Sequence, residues 1–476
     1  MSGPLMLAQR IARAFVLLSL VGTACPDILR VPEQYPDIQA ALNGVSYDDS
    51  ILVAMGTYAE ELYAPPLRFW LIGDVEVDTG NFARPIIDPS TLDSARWRRC
   101  MNVPNGSEPI VERIAFVNRA PMYPPYDSSR TGGVFVNTLL PITFRHCAFD
   151  SIHRAIAGTN FTGMALHIVA EDCRFTHATF SQIRTDTPEG TVEVRRCTFE
   201  GGHFFAGFVS GGHRSMIEEC TFTGDSISHP LYLYGDSLLV RNCLFHDCDS
   251  LLNPVLRIHG TVGGIVEQNV VRQNTRVSSG LVVVAHGSGE PLVFRHNQLL
   301  DNRTIVPTGQ VGITVTELTG PPEAWHVLVD SNLFLGNSQM SSVSAKGAYL
   351  GTRTRLTSNS FFDLLPLNAP VIDNWFGASP VSEMRYSQFQ SGDHGISAIP
   401  YPIDARWNYW GHPSGPYNAN HNPDAQGARV DDAVLFDPWS PDTNFLSVPG
   451  IHAPLPDQFI FEAFESRCHE GSEDCR

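Results

Sequence analysis

The chain has 476 residues, 43% of them apolar and 17% charged, a composition that excludes intrinsic disorder and allows one large unit or two to three compact domains. Its 32 basic and 50 acidic side chains give a formal net charge of −18. That excess speaks against nucleic acid or an anionic membrane as a partner, because either calls for a basic face.

At the N-terminus Arg10 and Arg13 precede the apolar run Ala14 to Val21, and Gly22, Thr23 and Ala24 precede Cys25. A basic stretch, a short apolar run and small residues, in that order, read as a secretory signal over residues 1–24 and predict export, to the medium, the cell surface or the periplasm. The run is too short to span a bilayer, and no later segment is apolar enough, so no transmembrane segment is expected. Cleavage after Ala24 would leave Cys25 first, which opens a second option, a lipoprotein anchored through Cys25. Gly22 stands where a lipid-attachment signal usually carries leucine.

From residue 144 onward one short frame recurs: FRHCAF, AEDCRF, VRRCTF, IEECTF and VRNCLF, then with Asn in place of Cys VEQNVV, FRHNQL, VDSNLF and LTSNSF, with Ser in MRYSQF and with Asn again in ARWNYW. The aligned positions 147, 173, 197, 220, 243, 269, 297, 332, 359, 387 and 408 are separated by steps that drift around 25 residues. Such a period means a solenoid whose coils carry loops of different length. Leucine-rich and helical repeats are excluded, since neither a Leu-x-x-Leu-x-Leu frame nor a 3.6-residue stripe is present. Each coil instead has a second alternating segment upstream, as in GVFV at 133, FAGFV at 205, LYLY at 231, VLRIH at 255, LVVVA at 281, GITVT at 312 and SVSAK at 342. Period-two segments bounded by Gly, Pro, Asn and Asp are strands, and two or three short strands per coil make a parallel β-helix.

Stacking coils bring like residues together at the roughly 4.8 Å strand spacing. Phe149, Phe175, Phe199, Phe222, Phe245, Phe334, Phe361 and Phe389 are therefore expected in one internal aromatic column, and Asn269, Asn297, Asn332, Asn359 and Asn408 in a column of amides at a turn. Cys147, Cys173, Cys197, Cys220 and Cys243 form a third column. Stacked Cβ vectors run parallel instead of converging, so these thiols are expected to act as small buried hydrophobes. Cys468 and Cys475, in an acidic, Pro-containing tail over residues 441–476, are the better candidates for a disulfide.

Both ends of the repeat carry a family resemblance. VPEQYPDIQAALNGVSYDDSILVAMGTYAEEL, from Val31 to Leu62, and NYWGHPSGPYNANHNPDAQG, from Asn408 to Gly427, resemble the opening and closing segments of secreted bacterial right-handed parallel β-helix proteins of the pectin-lyase-like superfamily. The resemblance implies an all-β, right-handed parallel β-helix over residues 25–440, of roughly eleven to thirteen coils. It also implies a short capping helix at about Pro36 to Asn43, followed by a G-T-Y-x-E turn at Gly56, Thr57, Tyr58 and Glu60. An open solenoid end exposes unpaired strand edges, which is what such a cap would cover. The catalytic motifs of pectin methylesterases, polygalacturonases and pectate lyases find no matching set here.

Ligands of such folds lie along the groove over one sheet, so outward positions of the upstream strands are the candidates. Alternation turns Leu231, Leu233, Leu256 and Ile258 inward and Tyr232, Tyr234, Arg257 and His259 outward on consecutive coils, with Arg184, Thr314, Thr316 and Lys346 further along. Tyrosine faces stack on sugar C–H surfaces while Arg and His meet hydroxyls or carboxylates. Arg257, His259 and Lys346 are the candidates for catalysis, and all these positions are also what an ordinary solvated sheet face exposes. Asp150, His153, Glu200, His203, Asp225, His246 and Asp247, placed at turns after the Phe column, could pair carboxylates with imidazoles, or be plain solvated turns. Asn422, Asp424, Asp431 and Asp432 could bind calcium, without the spacing of an EF-hand. Three functions stay open: a monomeric, non-catalytic scaffold or adhesin that binds a polysaccharide or cell-surface glycan without cofactor, a polysaccharide lyase or glycoside hydrolase acting on uronate-type carbohydrate, with calcium if lyase-like, and a purely structural envelope component.

Overall fold

In the computed structural model, residues 25–445 are described except for 76–82, 93–97, 120–131, 159–165, 179–180, 186–189, 203–207, 212–213, 227–229, 235–236, 249–253, 262, 277–281, 287–290, 305–311, 317–326, 340–347, 351–353, 365–368, 374–381, 391 and 399–401. Short strands wind through three long parallel sheets of 16, 13 and 14 strands, here sheet 1, sheet 2 and sheet 3. These numbers lie at or above the upper end of the expected coil count. Sheet 1 holds the strand just before each Cys or Asn, sheet 2 the strand just after it, and sheet 3 the upstream strand. Burial alternates along them, as in Ile142–Arg145, where Ile142 and Phe144 are buried and Thr143 and Arg145 half-buried. A parallel sheet covered on both faces would read as continuous hydrophobics; a solenoid wall has one wet face, and the alternation follows.

Between sheets 1 and 2 the chain bends on one residue. His146, Asp172, Arg196, Glu219, Asn242, Gln268, His296, Ser331, Ser358, Tyr386 and Trp407 all adopt left-handed backbone, with φ from 52° to 66°. For a residue with a Cβ this costs on the order of 1 kcal/mol. The following ladder residue offsets it. Asn297 Oδ1 accepts both the backbone N–H of Asn269, at 3.0 Å, and its Nδ2, at 2.9 Å, while Asn297 Nδ2 donates to Val266 O at 2.9 Å. The same pattern passes from Asn297 to Asn332 and on to Asn359. Ser387 Oγ and then Asn408 Oδ1 accept from the next backbone N–H groups. Every one of these side chains is almost completely buried. The five column cysteines are free, buried thiols directed at backbone carbonyls, and Asn269 Oδ1 takes over the N–H of Cys243 at 2.9 Å. Burial pushes the thiols of Cys147, Cys173, Cys197 and Cys220 well above the ordinary range, so they sit there as neutral S–H groups.

A second ladder, not anticipated from the sequence, stands five residues further on. Asn274, Asn302 and Asn337 repeat the amide relay behind left-handed Gln273, Asp301 and Gly336, and Asn274 Oδ1 accepts the N–H of Cys248 at 2.9 Å. Asn302 also heads a glycosylation sequon, but its side chain is wholly buried and its Nδ2 donates to Val271 O and Asn337 Oδ1, so a glycan there is incompatible with the fold.

Phe149, Phe175, Phe199, Phe222 and Phe245 stack with centroids 4.7 to 4.8 Å apart and planes within 5°. Val271 and Leu299 continue the column in register, after which Phe334, Phe361 and Phe389 resume it and Trp410 closes it, stacked on Phe389 at 4.7 Å. On the outer face of sheet 1, Glu112, Arg145, Glu171, Arg195, Glu218, Arg241, Glu267, Arg295 and Asp330 follow one another in register, a charge of opposite sign on each successive coil. Arg195 lies 3.1 Å from Glu218 and 3.7 Å from Glu171, and Arg295 2.7 Å from Glu267. Slipping any coil by one residue would break this run and turn its apolar side chains outward, so the ladder fixes register.

The capping helix, α1, spans Ile38–Gly44, two residues later than expected at its start, because Asp37 is its N-cap and accepts from Ala40 N at 2.7 Å. Glu60, the acid of the G-T-Y-x-E turn, accepts from Ile38 N at 3.0 Å and Gln39 N at 2.8 Å, which pins the helix over the first coil. Ile38, Ala41 and Leu42 are buried in that end. At the far end described chain continues past residue 440 to Phe445, whose ring meets Tyr386 edge-on at 6.3 Å. The signal segment, the tail beyond 445 and the pair Cys468 and Cys475 lie outside the described residues, and Cys25 is exposed with a free thiol.

Candidate functional site

The outward positions of the alternating sequence pattern fall on one continuous register row of sheet 3, on which Ala157 and Thr314 are buried. In register it runs Tyr63, Asn102, Phe135, Ala157, Arg184, Val209, Tyr232, Arg257, Val283, Thr314, Tyr349 and Asp373. Leu231, Leu233, Leu256 and Ile258 are buried beneath it, as alternation requires. Tyr232 and Arg257 are direct cross-strand partners, and the Arg257 guanidinium lies over the Tyr232 ring, 5.4 Å from its centroid. The Nε of Arg257 is buried without a hydrogen-bond partner, and among the described residues no carboxylate pairs with this guanidinium. Tyr234 and His259 pair on a second row with Ala285 and Thr316. Their side chains lie outside the described residues.

Arg184 and Thr314 fall on the Tyr232 row, as expected. SVSAK is not the strand that stacks on Thr314: Ala348–Leu350 holds that place, Tyr349 is the register partner of Thr314, and Lys346 lies outside the described residues. Alternation in SVSAK is too weak to fix its position. Two upstream strands are also displaced along the chain, to Phe208–Gly211 and Val282–His286.

The carboxylates and imidazoles after the Phe column separate into two kinds of position. Asp150, Glu200 and His246 are outward strand residues of sheet 2, not turn residues; Asp247 is in the left-handed turn; His203, and the Asp225 side chain, lie outside the described residues. Asp150 Oδ1 accepts from Thr176 Oγ1 at 2.7 Å and meets His177 Nδ1 at 2.8 Å, and hydrogen bonds from His177, Thr176 and Ser151 hold its carboxyl below the usual range against the opposing effect of burial. His177 is exposed, so the pair lies on an open turn. His153 is buried, and desolvation together with the neighbouring Arg154 charge lowers its pKa from 6.5 to about 4. The unfolded chain takes up that proton near pH 6.5 and the folded chain only near 4, so the stabilisation is complete above pH 6.5 and drains away as pH falls between the two. Thermal unfolding from pH 7 to 4 should register a loss of about 3 kcal/mol from this group, and His153→Gln should flatten that part of the profile.

In the closing segment, Asp431 is 3.4 Å from His394, Asp432 accepts from Asn418 and Asn420, and Asn422 donates to Ser414 O and Pro416 O, so these side chains are engaged in tying loops together. Among the described residues no group of three His, Cys, Asp or Glu side chains is placed to hold a metal ion, and no helix is long and apolar enough to cross a membrane.

Residues 132–334 match the family described as right handed beta helix region, and with the stacked parallel sheets this makes the chain a right-handed parallel β-helix repeat protein. No curated protein matches it. Among solved structures it is similar to PfbA, a surface adhesin of Streptococcus pneumoniae, at 11% identity and a TM-score of 0.30, with 85% of this chain and all 100% of that one covered. It is also similar to a mutant tailspike protein of E. coli bacteriophage HK620 in complex with a pentasaccharide, at 12% identity and a TM-score of 0.32, with 84% of this chain and 75% of that one covered.

Proposed function

We propose that this protein is exported and binds glycans, without catalysis, along the outward row of sheet 3, with Tyr232 and Arg257 at the centre of the site. The observation that carries the reading is the Arg257 guanidinium: it lies over a tyrosine ring, has no acidic partner among the described residues, and has a buried Nε with nothing to donate to. A buried donor left unpaired costs free energy, and a ligand oxygen would recover it. Beside it the part of the half-buried Tyr232 ring that the guanidinium leaves uncovered offers apolar contact to a sugar ring. The basic, apolar and small-residue order of residues 10–24 supports export.

On a glycan array the wild-type protein is expected to bind at least one oligosaccharide, and Tyr232→Ala and Arg257→Ala each to weaken that binding about tenfold or more, the effect of roughly 1.4 kcal/mol or more. An array without a hit, or a hit indifferent to both substitutions, overturns the assignment. Cleavage of any polyuronate by the purified protein, with or without calcium, overturns the non-catalytic part of it.

A further inference from the structure

Four coils before Tyr232 on the same row stands a second aromatic residue with a guanidinium over it. Phe135 is joined to Tyr232 through Ala157, Arg184 and Val209, each in register with the next, which at about 4.8 Å per coil places the two rings about 19 Å apart along the solenoid axis. Arg99 covers Phe135 with its guanidinium carbon 3.9 Å from the ring centroid. This pair is built and held from below. Arg99 Nη1 donates to Asn102 Oδ1 at 2.8 Å, Asn102 Nδ2 donates to Glu61 Oε1 at 3.2 Å, and Asn102 is the register neighbour of Phe135. Glu61 lies 3.6 Å from the Arg98 guanidinium and accepts from the backbone N–H of Arg99 at 3.4 Å, so this carboxylate fixes the segment that carries both arginines. The Arg98 Nε is buried without a partner, as at Arg257, and Tyr63, the next residue on the row, is 56% exposed. Arg184 sits on the row between the two pairs.

We infer that Arg99, Asn102 and Phe135 form a second saccharide platform, and that the two platforms together select a linear, carboxylate-bearing polysaccharide long enough to span them. The class follows from the charge. On a chain of net charge −18, this row carries Arg184 and Arg257, with Arg99 laid over its Phe135, and Asp373 is the first acid on it beyond Arg257. A planar guanidinium stacked on an aromatic ring donates in its own plane; Arg99 spends one Nη1 bond on Asn102, and the remaining N–H groups of its fork are of the kind that meets a carboxylate. Two such forks on one rigid wall convert the second contact into an intramolecular one, so affinity rises with chain length once both are bridged.

The inference rests on the reading of the Tyr232 site as a glycan site, and the test separates the two. Oligogalacturonate trimer and decamer, with a fully methyl-esterified decamer as the uncharged control, are titrated into the full chain at low and high salt. The decamer is expected to bind at least tenfold more tightly than the trimer, with the gain shrinking at high salt and absent for the ester. Arg99→Ala and Phe135→Leu are each expected to bring the decamer down to the trimer's affinity while leaving the trimer, held at Tyr232, unchanged, and Arg99→Lys, which keeps charge and loses the planar fork, to fall between. Unfolding transitions of the variants, compared with wild type, show that the wall is intact, and Phe135→Leu carries the test if Arg99→Ala does not fold. A length gain indifferent to these substitutions, or no gain at all, overturns the second platform. Trimer binding that Tyr232→Ala abolishes, without a length gain, overturns it while leaving the glycan reading in place. Equal binding of the ester overturns the acidic class, and no binding of any glycan overturns both.

Discussion

Asn297→Ala is expected to destabilise the middle of the solenoid by about 2 to 6 kcal/mol, because it orphans two buried donors at about 1–3 kcal/mol each. Those donors are the backbone N–H and the Nδ2 of Asn269, both now accepted by the single oxygen Asn297 Oδ1. The substitution also removes the Nδ2 donor to Val266 O and Arg295 O, at a position only 1% exposed, where water cannot substitute. The left-handed bend at His296 would then keep its strain and lose the side chain that locks it. Since each coil contacts its neighbours alone, the loss should surface as an added early transition in denaturant, confined to the coils around 269–332, before the rest of the solenoid melts. Hydrogen exchange on those coils is the measurement that locates it. Asn297→Cys makes a discriminating companion: cysteine is this column's own occupant five times over, its sulfur can accept from the preceding coil, as Cys197 Sγ does from Cys173 N at 3.4 Å, and it should fall between wild type and alanine. An alanine variant with unchanged exchange and midpoint would mean that the amide ladder is incidental to stability.

The same ladder shows what the sequence can and cannot reveal. Cys147 to Asn408 is legible because one residue type repeats at one frame position, and the Phe column because phenylalanine is rare enough for its recurrence to stand out. Once those two columns are aligned, parallel winding and the inward and outward faces of Leu231 to Tyr234 follow from period-two alternation alone. The second ladder escaped because only Asn274, Asn302 and Asn337 carry it and Cys248 opens it, too few for a pattern until the first ladder sets the register. The charge alternation from Glu112 to Asp330 escaped for a related reason: acid and base swap at each coil, so no position shows a constant residue, and the regularity appears only between register partners more than twenty residues apart. Of the candidate site, alternation placed Tyr232 beside Arg257. It could not find Arg99, which reaches Phe135 from just before the strand Met101–Val103, outside any alternating pattern. The strand that stacks on Thr314 is Ala348–Leu350 and not SVSAK, whose weak alternation sets no strong preference for its place, and Lys346 itself lies outside the described residues.

Phe222→Ala is expected to cost about 3–5 kcal/mol, the range for emptying a fully enclosed aromatic site. Phe222 is 2% exposed and stacks on Phe199 at 4.8 Å and on Phe245 at 4.7 Å, so removing it takes away two parallel ring contacts together and leaves a slot between rigid neighbours. Collapse cannot close that slot cheaply. The coils above and below are held at the strand spacing by the backbone bonds of three sheets, and by Cys220 and Cys243 flanking the same turn. Phe222→Leu should cost far less, because the column already accepts aliphatic members: Val271 and Leu299 continue it in register directly beyond Phe245. Urea midpoints of the two variants decide the matter. A leucine variant as unstable as the alanine one would mean that ring stacking, and not the filling of volume, stabilises the column, and that the interruption at Val271 and Leu299 is a weak joint in the solenoid, one that should then be the first segment to exchange its amide hydrogens.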